Sequence, residues 1–380
     1  MVQLILSEDY ELVRKLARDF SEKVIQPKNK IIESQTIPRE IYDELAKIGF
    51  TGVIIPHEYG GAGFDTLSYV IILEELARVS PSVSVAMDVQ NGLVEYPILT
   101  WGSDYLKNKY LPKLAKGEWI GAYALTEPQA GSDAANIQLK AEKKGSEYIL
   151  NGNKFFITNA NHANIFIVFG RTGYGQKRHE GITAFIVERD FEGFEIGEDY
   201  KKLGVRGSST AELIFNNVHV PEENILGEIG KGFYIAMNTL NMGRIGIGAQ
   251  ALGIAQASLE KSIEYMKQRE AFNKKLAEFE GLQFQLAEIA TDVEAARLLV
   301  YDAAMRADKK LPFIKEASMA KYFSSKVAME ASRFAVQVHG GYGFIEDFDV
   351  ERYYRDAKIT EIYEGTTEIQ KLVIARELLK

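Results

Sequence analysis

The chain has 380 residues, 46% of them hydrophobic and 26% charged, with a net charge of −8 and no cysteine. That length allows two or three domains around a large core, and the acidic balance removes any electrostatic reason to expect a nucleic-acid partner. Without cysteine, disulfides, thiolate metal sites and thiol nucleophiles are excluded, so redox chemistry would have to come from a bound cofactor.

The start, Met1-Val2-Gln3-Leu4, has neither the basic opening and apolar core of a secretory signal nor the Arg-rich look of a transit peptide, which reads as cytoplasmic. Mean hydropathy is −0.15, and no apolar run approaches the roughly 20 residues that span a bilayer. The five histidines are scattered and no H-E-x-x-H occurs, so no metal site is expected.

From Ser7 to about Leu114 the pattern is helical. Pro38 opens one helix and Asp65 can cap another, with the glycine-rich turn Pro56 to Gly63 between them. From about Gly121 to Val220 short apolar or alternating runs take over: Tyr148 to Leu150, Phe155 to Ile157, Ile165 to Phe169, Gly181 to Val187 and Leu213 to Val220. Turn residues separate them and no helices alternate with them, which predicts a compact β domain without parallel βαβ units. From Gly230 the helices return and lengthen. Leu282, Leu286, Ile289, Val293, Ala296, Val300 and Ala303 recur at steps of four and three, the seam of a bundle helix, as do Leu252, Ala255, Leu259, Ile263 and Met266. A third long helix runs from Phe313 to Val338 and stops at Gly340-Gly341; a fourth begins near Thr367, where Thr367 and Gln370 have capping-box spacing. The chain thus divides into a helical domain at 1–120, a β domain at 121–225 and a helical bundle at 226–380, mainly α with a β domain.

Gly246 to Ala251 matches the dinucleotide fingerprint G-x-G-x-x-A, but it lies inside a helical pattern with no strand before it, so its small residues read as helix-packing positions. Gly60 to Gly63 reads as an ordinary turn. Glu364 stands just before a helix start, where unpaired backbone N–H groups can hold an anion or a polarised carbonyl; the residues alone favour the plainer reading, a charge that complements the helix dipole. The stretch Tyr123 to Asp133, rich in hydroxyls and small residues at the junction of the zones, is either a cofactor-wrapping loop or a capped turn.

Taken together, Y-A-L-T-E-P-Q-A-G-S-D-A at 123–134, K-F-F-I-T-N-A at 154–160, N-M-G-R-I-G-I-G at 241–248, Q-R-E-A-F at 268–272, Q-V-H-G-G at 337–341 and the run from Val350 through Ile362-Tyr363-Glu364-Gly365-Thr366 resemble the acyl-CoA dehydrogenase family, in its order and over essentially the whole chain. The resemblance implies an N-terminal helical domain, a middle β-barrel-like domain and a C-terminal four-helix bundle. It implies FAD as cofactor and α,β-dehydrogenation of a short- to medium-chain acyl-CoA to a trans-2-enoyl-CoA, the butyryl-CoA dehydrogenase-like group. Glu364 would be the base and flavin N5 the hydride acceptor. Tyr123, Leu125, Thr126, Gly131 and Ser132, then Phe156, Ile157 and Thr158, would line the flavin, with Thr366 and Glu368 completing it. Arg269, Phe272, Gln337, Val338, Gly340 and Gly341 would hold its ADP half in a neighbouring subunit. Ser132, Asn241, Met242, Arg244 and Gly365 would border the substrate. An electron-transfer flavoprotein would be the acceptor and a homotetramer, a dimer of dimers, the assembly.

Some residues keep local readings within that frame. Arg352, Arg355 and Asp356 read as helix ion pairs, His339 as a helix-terminal cation or a flavin contact, and Glu95 as a solvated helix charge rather than a pocket residue. The chain departs from the family at Phe156, commonly tryptophan, at Asn241, commonly aspartate, and at Glu280, commonly glutamine, a carboxylate unsuited to phosphate. Gly243 rather than glutamate on its helix favours the straight-chain group, and Ser84 argues against a dicarboxylic substrate. The alternatives are an acyl-CoA oxidase that passes electrons to oxygen, and a non-catalytic flavin- or acyl-CoA-binding assembly protein on the same fold.

Overall fold

A computed structural model describes residues 6–380; the leader reading of Met1 to Leu4 lies outside the described residues. Helices α1 (Glu8–Phe20), α2 (Asn29–Ser34), α3 (Arg39–Lys47), α4 (Thr66–Val79), α5 (Pro81–Asp88), α6 (Tyr96–Trp101) and α7 (Asp104–Ala115) form the first zone. The expected punctuation is there: α3 follows Pro38, and the Asp65 carboxylate caps α4 by accepting from Ser68 N at 2.8 Å. Strands β1 (Gly121–Ala124), β2 (Lys140–Lys144), β3 (Glu147–Thr158), β4 (Ile165–Arg171), β5 (Ile182–Glu188), β6 (Phe194–Ile196), β7 (Thr210–Pro221) and β8 (Ile225–Leu226) form one sheet in the order β6-β7-β3-β2-β4-β5-β8. β1 lies outside that order and pairs in parallel with β4. No βαβ unit results, because the chain between them makes the β2–β3 hairpin instead of a crossover helix.

The last zone holds α8 (Gly232–Gln268), a small hairpin of β9 (Glu270–Ala271) and β10 (Lys274–Lys275), α9 (Glu280–Asp308), α10 (Ile314–His339), α11 (Val350–Thr360) and α12 (Thr367–Leu378). Val293, Ala296, Val300 and Ala303 are buried, as the seam predicted. Gly246 to Ala251 lies within α8, fully buried, so the fingerprint match is packing. At α12 the cap is Thr366, not Thr367: Thr366 Oγ1 accepts from Ile369 N, and the Gln370 amide reaches back to the carbonyls of Glu364 and Gly365 instead of closing a capping box.

The two helical zones share a core, in which Leu67, Ile71 and Met87 pack with Ile245, Ala249, Val300 and Ala320. Buried acids on α4 tie it to its neighbours. Glu74 accepts from Arg297 at 3.0 Å and Tyr301 at 2.6 Å, and Glu75 from Arg18 at 2.9 Å. Each carboxylate lost from water is answered by a charged donor, the condition for burying it at all. Among the described residues no helix is long and apolar enough to cross a membrane.

Candidate active site

Glu364 sits in the turn between α11 and α12, in the left-handed region at φ +53°, followed by Gly365 at φ +97°. A non-glycine residue there is strained by about 1–3 kcal/mol and persists only where its surroundings hold it. They do so from several sides. Lys321 Nζ donates to the carbonyls of Thr360 and Gly365, each at 2.8 Å. Gln370 donates to those of Glu364 at 3.3 Å and Gly365 at 2.8 Å. The Tyr363 hydroxyl donates to Gln250 on α8.

The twisted turn swings the carboxyl over α8 at Gly243, where a Cβ would stand 1.9 Å from Oε2. Only glycine leaves that room. The residue is half-buried, but Oε2 is fully buried and has no hydrogen-bond partner. Among the described residues, the Glu364 backbone N–H has no acceptor. A carboxylate and a free donor therefore belong to the same residue, as the helix-start position suggested.

Burial pushes the Glu364 carboxyl up to about 7, opposed by a hydrogen bond from Asp88 and by the charges of Lys321 and Arg244. Burial lowers Lys321 to about 7 and Arg244 to about 10, the Glu364 charge partly restoring both. Arg244 Nη1 donates to Asn241 Oδ1 at 2.7 Å, and Met242 between them turns into the shared helical core. Tyr123, on the opposite wall, has its hydroxyl pushed up by burial and by the Glu364 charge.

The other β-domain candidates lie on β3 and in the loop after β1. A register shift between Lys154 and Ile157 in the β3–β7 ladder turns Phe156 outward at φ +58°. Its ring is 64% exposed beside Tyr200, an aromatic platform open on one face. Ile157 points the other way into the β core, and Thr158 pairs with Thr210 at half burial. The loop after β1 is anchored by a fully buried ion pair: Lys154 Nζ donates to Glu127 Oε1 at 2.7 Å and to Leu125 O at 3.0 Å. Glu127 also accepts from Gln138 N and Leu139 N at 2.6 and 2.9 Å. Thr126 O accepts from Phe155 N, joining the loop to the platform strand. Gly131 and Ser132 are exposed beyond it, and a Cβ at Gly131 would meet nothing within 4 Å.

The remaining candidates lie elsewhere. Arg269, Val338, Gly340 and Gly341 line an open groove of about 450 Å³ with Tyr265 and Tyr342. No residue of 123–132 or 156–158 lines it. Phe272 projects from the β9–β10 hairpin at 89% exposure, and Gln337 is exposed on α10. Thr366 is the α12 cap and Glu368 an exposed acid in its first turn, held low by N-terminal hydrogen bonds.

An FAD-sized group fits these residues: an exposed aromatic face, an anchored hydroxyl loop, and a groove with an arginine and open backbone at Gly340 and Gly341, where an added Cβ meets nothing within 4 Å.

Two local readings are corrected. Glu95 is fully buried, its carboxyl accepting from Gln90, with burial pushing it well above the usual carboxylate range, so it is not a solvated charge. His339 ends α10 as expected, but burial lowers its imidazole pKa, and it stacks on Tyr265 at 4.1 Å while bonding Ala335 O. Burial thus disfavours the charged form that a dipole-opposing cation requires. Arg352–Asp356 and Arg355–Glu351 are helix ion pairs, at 3.5 and 2.7 Å, and Glu280 is the exposed first residue of α9. The Ser84 hydroxyl is buried on Leu73 O.

Sequence reasoning missed Asp88, Tyr69, Lys321 and the Lys154–Glu127 pair. Asp88 had a signal, since it is the lone charge between Arg78 and Glu95.

Family models match along the chain: the acyl-CoA dehydrogenase N-terminal domain at 7–118, the middle domain at 122–218 and the C-terminal domain at 230–379. An acyl-CoA dehydrogenase of Bacillus subtilis is 48% identical, covering 98% of this chain and 99% of its own. A caffeyl-CoA reductase–Etf complex subunit of Acetobacterium woodii is 44% identical over 99% and 100%. The solved butyryl-CoA dehydrogenase of Megasphaera elsdenii superposes with a TM-score of 0.97 at 44% identity, covering 100% of both chains.

Proposed function

The chain belongs to the acyl-CoA dehydrogenase family, and from that premise we propose that Glu364 is the base that takes the α-proton of a short- to medium-chain acyl-CoA. The family's reaction is flavin-dependent dehydrogenation of an acyl-CoA, and FAD, when bound, supplies the acceptor for the β-hydride. The observation that carries the assignment is the Glu364 carboxyl itself, buried over Gly243 and raised toward neutrality, beside its own unpaired N–H. A base near neutral pKa is matched to an operating pH near 7. The N–H would donate to the thioester oxygen as enolate charge develops, a contribution of roughly 3–4 kcal/mol by the scale of other oxyanion donors.

Phe156, Thr158, Thr126 and Ser132, with Tyr123, Leu125, Gly131 and Ile157 behind them, would hold the flavin ring and its near half. Arg269, Phe272, Gln337, Val338, Gly340 and Gly341 would take the ADP half of a flavin bound mainly by a second subunit. The separate groove and the exposure of Phe272, Phe344 and Phe284 support a dimer of dimers. Thr366 and Glu368 would close the flavin site, while Asn241, Arg244 and Gly365 would border the thioester end of the substrate. The division at 1–120, 121–225 and 226–380 is retained as the proposed set of domains, and the cytoplasmic reading rests on the sequence alone. An electron-transfer flavoprotein is the proposed electron partner, a reading supported by the Etf complex that names the Acetobacterium woodii relative. That relative's reductase name also supports the reverse direction, in which a protonated Glu364 returns the α-proton to an enoyl-CoA.

Glu364→Gln should retain FAD and acyl-CoA binding while losing roughly 10³-fold or more in turnover with a dye acceptor. Near-wild-type rates would reject the base.

A further inference from the structure

One polar group in the site has no part in the chemistry above. Asp88, the last residue of α5, is fully buried. Its Oδ1 accepts from the Tyr69 hydroxyl, and Gly246 leaves it room, since a Cβ there would stand 1.8 Å from Oδ1. Gly243 and Gly246 lie on one face of α8, three residues apart, and each has a carboxyl over it: Glu364 on the first, Asp88 on the second.

The two carboxyls thus stand one helical turn apart over the same face of α8, and a hydrogen bond from Asp88 would lower the pKa of Glu364 and raise that of Asp88. Both Asp88 Oδ2 and Glu364 Oε2 are buried, and neither has a partner when both groups are treated as acceptors. Two facing carboxylates cannot both be charged in such a place. A single proton between those two oxygens satisfies both. With Oδ1 already accepting from Tyr69, that proton belongs on Oδ2.

We infer that Asp88 is a positioning residue that stays protonated and donates from Oδ2 to Glu364 Oε2, so that the base works as one half of an acid–carboxylate pair and presents Oε1 to the substrate. The inference rests on Glu364 being the base. The other ionisable groups around the pair are Tyr69 and Glu95 on the α4–α6 side, Tyr123 on β1, Arg244 on α8, Lys321 on α10 and Tyr363 in the turn. The two cations hydrogen-bond elsewhere, Arg244 to Asn241 and Lys321 to backbone carbonyls, so neither replaces the Asp88 proton. Burial, then the charge on Glu364, pushes Asp88 well above the usual carboxylate range, consistent with a proton retained where Glu364 has lost its own.

The test is the pH profile of kcat/KM in the FAD-loaded enzyme, read with the infrared band of a protonated buried carboxyl at neutral pH. Asp88→Ala removes the donor and should move the rising acid limb upward by about one unit. Asp88→Asn keeps an N–H donor toward Glu364 and should leave the limb where the wild type has it, while removing the Asp88 component of the infrared band and leaving that of Glu95. A limb in Asp88→Ala that coincides with the wild type overturns the pair. If Asp88→Ala does not fold, the wild-type minus Asp88→Asn infrared difference decides: loss of one carboxyl component on substitution supports the pair, and an unchanged spectrum, with the signal of Glu95 and Glu364 alone, overturns it. Loss of turnover in Glu364→Gln separates failure of the pair from failure of the base.

Discussion

At the scale of single residues the site is built from glycines as much as from charges. Gly243 has φ in the helical range, so its value is the volume it leaves for Glu364 and not backbone freedom. Alanine is the better helix former by roughly 1 kcal/mol, yet at this position its methyl would occupy the place of the carboxyl. Gly243→Ala should therefore lower kcat/KM by at least about 10²-fold as the carboxyl is displaced, while its methyl, 2.8 Å from the buried Leu93 Cδ2, offsets the propensity gain so that the melting temperature does not rise. A variant with normal kinetics would show that the carboxyl does not work from this position. Glu364 and Phe156 are both held at positive φ. Strain at these two points fits residues selected for where they point rather than for ease of folding.

At the scale of elements, the β1 loop and the β3 platform depend on one interaction that neither motif displays alone. The Lys154–Glu127 pair is fully buried, and burial lowers Lys154 to about 8. Breaking such a pair leaves an uncompensated charge and costs about 3–5 kcal/mol, whereas replacing both partners by apolar residues of similar volume costs far less. Lys154→Met alone should lower the melting temperature and weaken FAD retention together. Adding Glu127→Leu should recover only part of the stability and none of the flavin, because the Gln138 and Leu139 N–H groups lose their acceptor and the loop loses its shape. Thermal unfolding and flavin absorbance after gel filtration read the two effects separately. The sign with pH follows from the lowered Lys154 pKa. Above about 8 the folded chain has released a proton that the unfolded chain still holds, so the Lys154 contribution to thermal stability should rise as the pH climbs from about 8 toward the usual lysine range.

At the scale of the whole molecule, the groove at Arg269 and Gly340 stands apart from the Phe156 wall, so one chain does not enclose the cofactor it is proposed to use. Arg269→Glu places a carboxylate where phosphate is expected and should release FAD and weaken the assembly together, while the isolated fold survives. Analytical ultracentrifugation with flavin absorbance tests this, and a fully loaded tetramer in that variant would remove the groove from the site. Composition, periodicity and motif order were enough to determine the three zones, the helix seams and the caps at Asp65 and near Thr366, because each of these depends on residues close in sequence or on local patterns of burial. The lone Asp88 was visible as a charge in an uncharged stretch, but its partner is 276 positions away, and only the crossing of α5, α8 and the α11–α12 turn brings the two carboxyls together. The burial of Glu95, the lowered pKa of His339, the core shared by both helical zones and the room made at Gly243 and Gly246 were likewise decided by tertiary packing, since the dielectric and free volume around a side chain belong to its neighbours in space and not to its neighbours in the chain.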